Sequence, residues 1–178
     1  ENFTEVDDLL SENYFMTNNY SRIISYLNSK RNISENDKIK FQYVTYQKGV
    51  GEFNRGNFKS SIKYFDLSKK YNLDSDIYIK SSLNKSEALF IGNLYKEAVN
   101  ELLGVINLNM NVELREKIFL QLGYSYFNLN EYLNASKYLK NYLDSKDNKF
   151  SSKDIDPILR LADSYYASKN FNSSIKYY

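Results

Sequence analysis

Residues 57–65 read NFKSSIKYF, and residues 170–178 read NFNSSIKYY. Seven of the nine positions are identical and the last keeps an aromatic, across an interval of 113 residues. That interval holds three shorter steps of about 37 to 38 residues, the length of one unit in a repeat protein, so intermediate copies are expected. They are present. Aligning on the aromatic that follows a polar connector gives NNYSRIISYL (Tyr20), GNFKSSIKYF (Phe58), NLYKEAVNELL (Tyr95), NEYLNASKYL (Tyr132) and KNFNSSIKYY (Phe171). The anchors are spaced by 38, 37, 37 and 39 residues.

Each copy has the same internal grammar. Three residues after the anchor stands Ile23, Ser61, Ala98, Ala135 or Ser174, small in four copies of five. Seven residues after it stands Leu27, Phe65, Leu102, Leu139 or Tyr178, always large. Steps of three and seven fall on one helical face, and a small residue within that stripe lets a neighbouring helix approach. A second helical pattern precedes each anchor and ends in an aromatic: Tyr14-Phe15, Phe53, Leu89-Phe90, Tyr126-Phe127, Tyr165-Tyr166. The repeating unit is helix, short turn, helix.

Composition agrees with a helical array. The chain has 178 residues, 42% hydrophobic, with six glycines and a single proline, Pro157, too little turn punctuation for an all-β fold of this size. Between the copies, NLDSD (72–76) and NLNMN (107–111) are dense in Asn and Asp, which bond their own backbone and interrupt helices. The longest connector, 145–154, leads to Asp156-Pro157, which predicts an N-cap followed by proline at the first helical position. Ser34 and Asp37 predict a capping box for the helix carrying FQYVTYQ.

With these residues in view, the chain resembles the tetratricopeptide repeat family. The unit FLQLGYSYFNLNEYLNASKYL (119–139) places Phe119, Leu122, Gly123, Tyr126, Ala135 and Leu139 at that family's packing positions. The last unit repeats the pattern with Ile158, Leu161, Ala162, Tyr165, Ser174 and Tyr178. The second keeps Gly49, Phe58, Ser61 and Phe65 but has Lys48 and Glu52 where apolar residues are usual. The period of 37 to 39 exceeds the family's 34, and the proline that usually ends a unit is missing. The resemblance implies an all-α fold, a right-handed superhelical solenoid of antiparallel helix pairs. About five units are expected, at approximately 4–41, 42–78, 79–115, 116–154 and 155–178. The last is expected to be incomplete, because Tyr178 falls two turns into a helix, and self-association through that end is an expectation of the same reading.

Much chemistry is excluded by residue type. The chain has no Cys and no His, so disulfides, thiolate nucleophiles, His-based triads and Cys/His zinc sites are ruled out. Acidic pairs such as Asp7-Asp8 and Glu97 with Glu101 assemble no cage for a hard cation. Ser60-x-x-Lys63 and Ser173-x-x-Lys176 match the Ser-Lys pattern of penicillin-recognising enzymes, but the other motifs of those enzymes are missing. A repeat helix, serine packing and lysine solvated, accounts for them. No catalytic residue, metal or cofactor is expected. Lysines interleaved with aromatics (KYFDLSKKY, SKYLKNYL) read as solvated heads beside buried rings, and 24 basic against 22 acidic residues give no global field for nucleic acid. No apolar run approaches the length of a membrane span; ALFI (88–91) is typical of the longest. The chain starts at Glu1 without a signal sequence and reads as a trimmed piece. Its sequence leaves the compartment open, with a slight lean to a bacterial cell envelope; the Asn, Lys, Ile and Tyr bias looks like an AT-rich coding sequence and suits a bacterial origin. The six N-x-S/T sequons (Asn2, Asn19, Asn32, Asn84, Asn134, Asn172) are what abundant Asn and Ser produce by chance.

In the resembled family, first helices line an inner groove that binds partner segments. Carried over by position, the implied surface is Tyr43, Tyr46, Val50 and Phe53; Lys80, Leu83, Glu87 and Phe90; Lys117, Leu120, Tyr124 and Phe127; and Leu159, Asp163 and Tyr166. The row Phe53, Phe90, Phe127, Tyr166 serves equally well as packing between helices. The groups that clamp a terminal carboxylate in chaperone-binding members are replaced by apolar and aromatic residues, which argues against such a tail. The expected ligand is another protein, presenting an apolar segment or an amphipathic helix, and the expected role is a scaffold or adaptor. Two alternatives stand beside it: the helical accessory part of a larger hydrolase, and a structural, self-associating array.

Overall fold

The structure, a computed structural model, describes residues 19–146 and 150–178. Tyr14, Phe15, Asp7, Asp8 and Asn2 lie outside the described residues. Among the described residues there are nine α-helices, one short 3-10 turn (Ser152–Asp154) and no strand. The helices are α1 (Tyr20–Ser29), α2 (Glu35–Asn54), α3 (Phe58–Ser68), α4 (Ser75–Ile91), α5 (Tyr95–Leu103), α6 (Val112–Asn128), α7 (Tyr132–Asp144), α8 (Ile155–Ala167) and α9 (Phe171–Tyr177). All five anchor aromatics are the first residues of helices: α1, α3, α5, α7 and α9. The even-numbered helices are therefore the first members of the pairs. The chain divides into two compact units, one ending at Asn84 and one starting at Lys85. In the first, α2 packs on α1 and α3; in the second, α7 packs on α6 and α8, and α8 on α9.

The turn between paired helices is built the same way four times. Gly56, Asn93, Asn130 and Lys169, each two residues before an anchor, have φ of 58 to 78°. Their amides bond the carbonyls of Phe53, Phe90, Phe127 and Tyr166 at 2.8 to 3.0 Å, and the following amides reach back to Glu52, Leu89, Tyr126 and Tyr165. This double bond pattern satisfies carbonyls that a helix end leaves open. Where the left-handed residue is Asn, the anchor is Tyr, and its hydroxyl donates to the Asn Oδ1: Tyr95 to Asn93 at 2.6 Å and Tyr132 to Asn130 at 2.7 Å. Where it is Gly or Lys, the anchor is Phe.

Within a pair, contact is close at the small positions. A Cβ on Gly123 would lie 2.6 Å from the Leu139 side chain, and one on Gly49 2.7 Å from the Phe65 ring. Ile23, Ser61, Ala98, Ala135 and Ser174 are all buried, as are Leu27, Phe65, Leu102 and Leu139. Only the last member of that series, Tyr178, is exposed.

Polar residues fix the helix ends. The capping box of Ser34 and Asp37 is present, and Lys30 pairs with Asp37 at 3.1 Å. Burial alone would raise the Asp37 pKa; hydrogen bonds from Ser34 and Lys30 outweigh it and hold the carboxyl below its ordinary range. The reading of Asp156 as an N-cap needs correction. The 3-10 turn runs straight into α8, whose cap position is Asp154, and Asp156 and Pro157 both lie inside its first turn. Proline is tolerated there because first-turn amides have no helical partner. Asp154 is buried and accepts from the Tyr142 hydroxyl (2.6 Å) and from Ser151 (2.7 and 2.8 Å). These bonds, Tyr142's first, lower its pKa.

Two polar features of the first unit depart from the repeat pattern. Gln42, fully buried on α2, donates from Nε2 to the Asp74 carbonyl at 2.8 Å. Its Oε1 accepts from the amides of Asp74 (2.9 Å) and Leu73 (3.3 Å), which ties α2 to the entry of α4. Lys48 and Glu52, the expected apolar positions, pair with each other at 3.0 Å. Glu52 also accepts from Arg55 (3.3 Å) and Asn57 (2.9 Å), which lowers its pKa, the Asn57 bond contributing most.

Candidate functional site

The first helices carry the residues expected to receive a partner, and each unit presents its own part of that row. On α2, Tyr43 is exposed and Val50 half-buried. Tyr46 leans on the Phe65 ring of its own pair, with centroids 6.2 Å apart, and accepts a long hydrogen bond from Asn84 at 3.4 Å. In the same unit Lys80 pairs with Asp76 at 2.5 Å, the bond that chiefly raises its pKa, and Leu83 is buried. These residues hold α2 and α4 in place as much as they offer surface.

The aromatic row has a structural task common to both units. Phe53 packs edge-on against Phe58 (5.3 Å), Phe90 against Tyr95 (5.1 Å), Phe127 against Tyr132 (5.7 Å) and Tyr166 against Phe171 (5.5 Å). Each ring closes the turn of its own pair by touching the anchor. Edge-to-face contacts of this kind add about 0.5–1.5 kcal/mol beyond buried area. Phe53, Phe90 and Phe127 keep partial exposure, and Tyr166 remains 62% exposed.

In the second unit, charge and aromatics meet. Glu87 on α4 touches solvent, yet the protein around it thins its hydration and pushes its pKa up, with Lys117 on α6 opposing the shift. Lys117 is also exposed and pairs with Glu113 at 2.6 Å. Leu120 and Tyr124 pack against the buried cluster of Leu139, Tyr142, Leu143 and Leu161. The Tyr124 hydroxyl donates to Asp156 at 2.6 Å, and Arg160 Nε reaches the same oxygen at 2.9 Å. The Arg160 guanidinium lies 5.1 Å from the Tyr124 ring and 5.1 Å from the Phe127 ring. Burial first, then Asp156, pushes the Tyr124 pKa well above its ordinary value. For Asp156, burial is outweighed by the bonds from Tyr124 and Arg160, so its carboxyl stays charged below the usual range. On α8, Leu159 and Asp163 are exposed, and Asp163 accepts a hydrogen bond from the terminal Tyr178.

Asp156 and Arg160 were not among the expected site residues. Their spacing of four on a helix, acid before base, was the available signal. The Ser-Lys pairs show no catalytic arrangement. Ser60 and Ser173 sit in the first turns of α3 and α9, and their neighbours Ser61 and Ser174 take the buried positions. Among the described residues no group of three acidic side chains is placed to hold a metal ion, and no helix is long and apolar enough to cross a membrane.

Neither protein-family models nor curated protein sequences yield a match to the chain. Solved structures do. MamA (41-end) from Desulfovibrio magneticus RS-1 superposes with a TM-score of 0.62 at 16% identity, over 97% of this chain and 89% of that one. The apo form of RapI gives 0.66 at 16% identity over 94% of this chain, which spans only 49% of RapI. BtubC (BKLC) from P. vanneervenii gives 0.61 at 12% identity, over 98% of this chain and 76% of that one. Likeness at such low identity establishes architecture alone, and that architecture is an all-helical solenoid of the tetratricopeptide type.

Proposed function

We propose that the chain is a non-catalytic protein-interaction module, a scaffold or adaptor that docks a segment of another protein along its first helices. The observation that carries this reading is the chemistry left open on those helices. Tyr43 on α2, Glu87 on α4, Lys117 on α6, and Leu159 and Tyr166 on α8 are all exposed, while their helices are anchored by other residues. Mixed aromatic and charged side chains on rigid helices suit an amphipathic helix or an extended apolar segment. A ring with large area and few torsions binds at low entropic cost, so truncating a central one costs on the order of 2 kcal/mol of binding.

The test is affinity capture and titration of the native partner. The wild-type chain is compared with a triple variant, Tyr43→Ala, Glu87→Ala and Lys117→Ala, whose exposed positions spare the core. Loss of partner binding with unchanged circular dichroism supports the reading. Unchanged binding by the folded triple variant moves the interface off the first helices. Hydrolase activity of the purified chain overturns the non-catalytic assignment.

A further inference from the structure

Two ammonium groups of the first unit share one aromatic ring and have no acid of their own. Tyr71 follows α3 and packs edge-on against the buried Phe41 of α2, with ring centroids 5.7 Å apart. Lys70 Nζ lies 4.9 Å from the Tyr71 centroid and 6.0 Å from that of Phe41. Lys38 Nζ, from the first turns of α2, lies 6.0 Å from the same Tyr71 centroid. The two nitrogens are therefore no more than about 11 Å apart. Among the described residues, neither ammonium enters an ion pair or a hydrogen bond.

The acids on the same segments are engaged elsewhere or stand apart. Asp37 accepts from Lys30 and Ser34, and Asp74 accepts from the Ile77 amide at 3.0 Å. Glu35 is exposed and pairs with neither lysine. Both lysines stand on fixed backbone. The Lys38 amide donates to the Ser34 carbonyl beside the capping box, and the turn from 69 to 74 is tied to Phe65, Leu67 and Gln42. A ring attracts each ammonium but occupies none of its three donors. Repeat packing does not require the pair: one copy later, 37 residues on, Lys38, Lys70 and Tyr71 are replaced by Ser75, Asn107 and Leu108.

Resting on the reading of the chain as a protein-docking module, we infer that Lys38 and Lys70 form a subsite for an acidic segment of the docked protein. Two carboxylates, two or three residues apart in an extended segment, span roughly 7–10 Å and take one ammonium each. A nucleic acid suits the site less well. Base stacking needs an open ring face, whereas Phe41 is 1% exposed and Tyr71 already carries both lysines. An anionic membrane surface calls for a cluster of about four to eight cations.

The experiment titrates the whole 178-residue chain, labelled with nitrogen-15, with a hexaglutamate peptide at low salt and follows the amide shifts. Saturable shifts centred on Lys38, Lys70 and Tyr71 are expected, with none from hexaglutamine. The double variant Lys38→Gln, Lys70→Gln should weaken binding about tenfold with unchanged circular dichroism. Lys59→Gln with Lys63→Gln removes the same charge at exposed positions of α3 and should leave affinity within about twofold. Shifts spread over all lysines, or equal weakening in the two double variants, overturn the inference. Hexathymidylate binding more tightly at the same residues makes the occupant a nucleic acid and overturns it. A dimer in sedimentation that Lys38→Gln with Lys70→Gln dissociates makes it a second copy and overturns it as well. The chain's own residues 1–18 carry five acids and no base. If changing Glu1, Glu5 and Glu12 to Gln and Asp7 and Asp8 to Asn tightens hexaglutamate binding tenfold, that segment is the occupant and the inference falls. Failure here beside retained sensitivity of partner capture to Tyr43, Glu87 and Lys117 refutes this subsite alone and leaves the docking reading intact.

Discussion

Replacing Gln42 by methionine isolates the contribution of one buried amide to the first unit. Methionine keeps nearly the same length and volume, so little cavity opens. Three hydrogen bonds disappear: Nε2 to the Asp74 carbonyl at 2.8 Å, and the Asp74 and Leu73 amides to Oε1 at 2.9 and 3.3 Å. The Leu73 amide keeps the Tyr71 carbonyl at 2.8 Å and the Asp74 carbonyl keeps the Tyr78 amide at 3.0 Å, so at roughly 1 kcal/mol net for each lost bond the loss is about 3 kcal/mol. Urea unfolding followed by circular dichroism measures it, provided the slope is unchanged. Hydrogen exchange supplies the local readout, because the Asp74 amide, which loses its 2.9 Å bond to Gln42, should exchange faster in the variant than in wild type. A destabilisation below about 1 kcal/mol with unchanged exchange at the Asp74 amide would refute the claim that this side chain fixes the entry of α4.

Three other outcomes follow from the same structure. Ala135→Leu should destabilise by about 1–3 kcal/mol through overpacking, whereas Asn134→Leu, at an exposed position, should be nearly neutral; equal melting temperatures would contradict the register. Lys169→Gly should stabilise by about 0.5–1 kcal/mol, because glycine removes the cost of a left-handed side chain at φ 63°; differential scanning calorimetry reads the change, and a drop in stability would contradict it. The folded pKa of Asp37 lies below its ordinary value of 3.8, so its stabilisation is complete above that pH and fades as pH falls through the folded value. Stability measured from pH 6 down to 2 should therefore fall less steeply in Asp37→Asn than in wild type.

The period and the anchors were legible because they rest on apolar and aromatic residues, whose helical spacing survives without any knowledge of tertiary partners. The Ser34–Asp37 cap was legible for a related reason: it is local, three residues across. Gln42 was not. In FQYVTYQ it reads as one more polar residue on a solvated face, and only the fold brings the backbone of residues 73 and 74 against it. Lys48 and Glu52 looked like flaws in the pattern until their mutual pairing was visible. At the candidate site the sequence located the helices but not what each face already touches. Phe53, Phe90, Phe127 and Tyr166 each spend one side on an anchor of their own pair, and Tyr124 is engaged by two residues of α8. Such engagement depends on the depth of helix contact, which periodicity does not encode.

The turn chemistry also makes two positions of the repeat a single heritable choice. Asn-x-Tyr spells one solution, in which the phenol donates to the residue that turns left-handed; Gly-x-Phe and Lys-x-Phe spell another, with no hydroxyl to place. A single exchange from one spelling towards the other produces a hybrid. Asn130→Gly, for example, relieves the backbone but deprives the Tyr132 hydroxyl of its acceptor. A consensus repeat averaged position by position from these copies would combine letters from both spellings. Recombining whole copies, or exchanging both letters together, keeps each hydroxyl matched to its acceptor. An alignment of such repeats should accordingly show the two columns changing in concert, two residues apart and on opposite sides of a helix boundary.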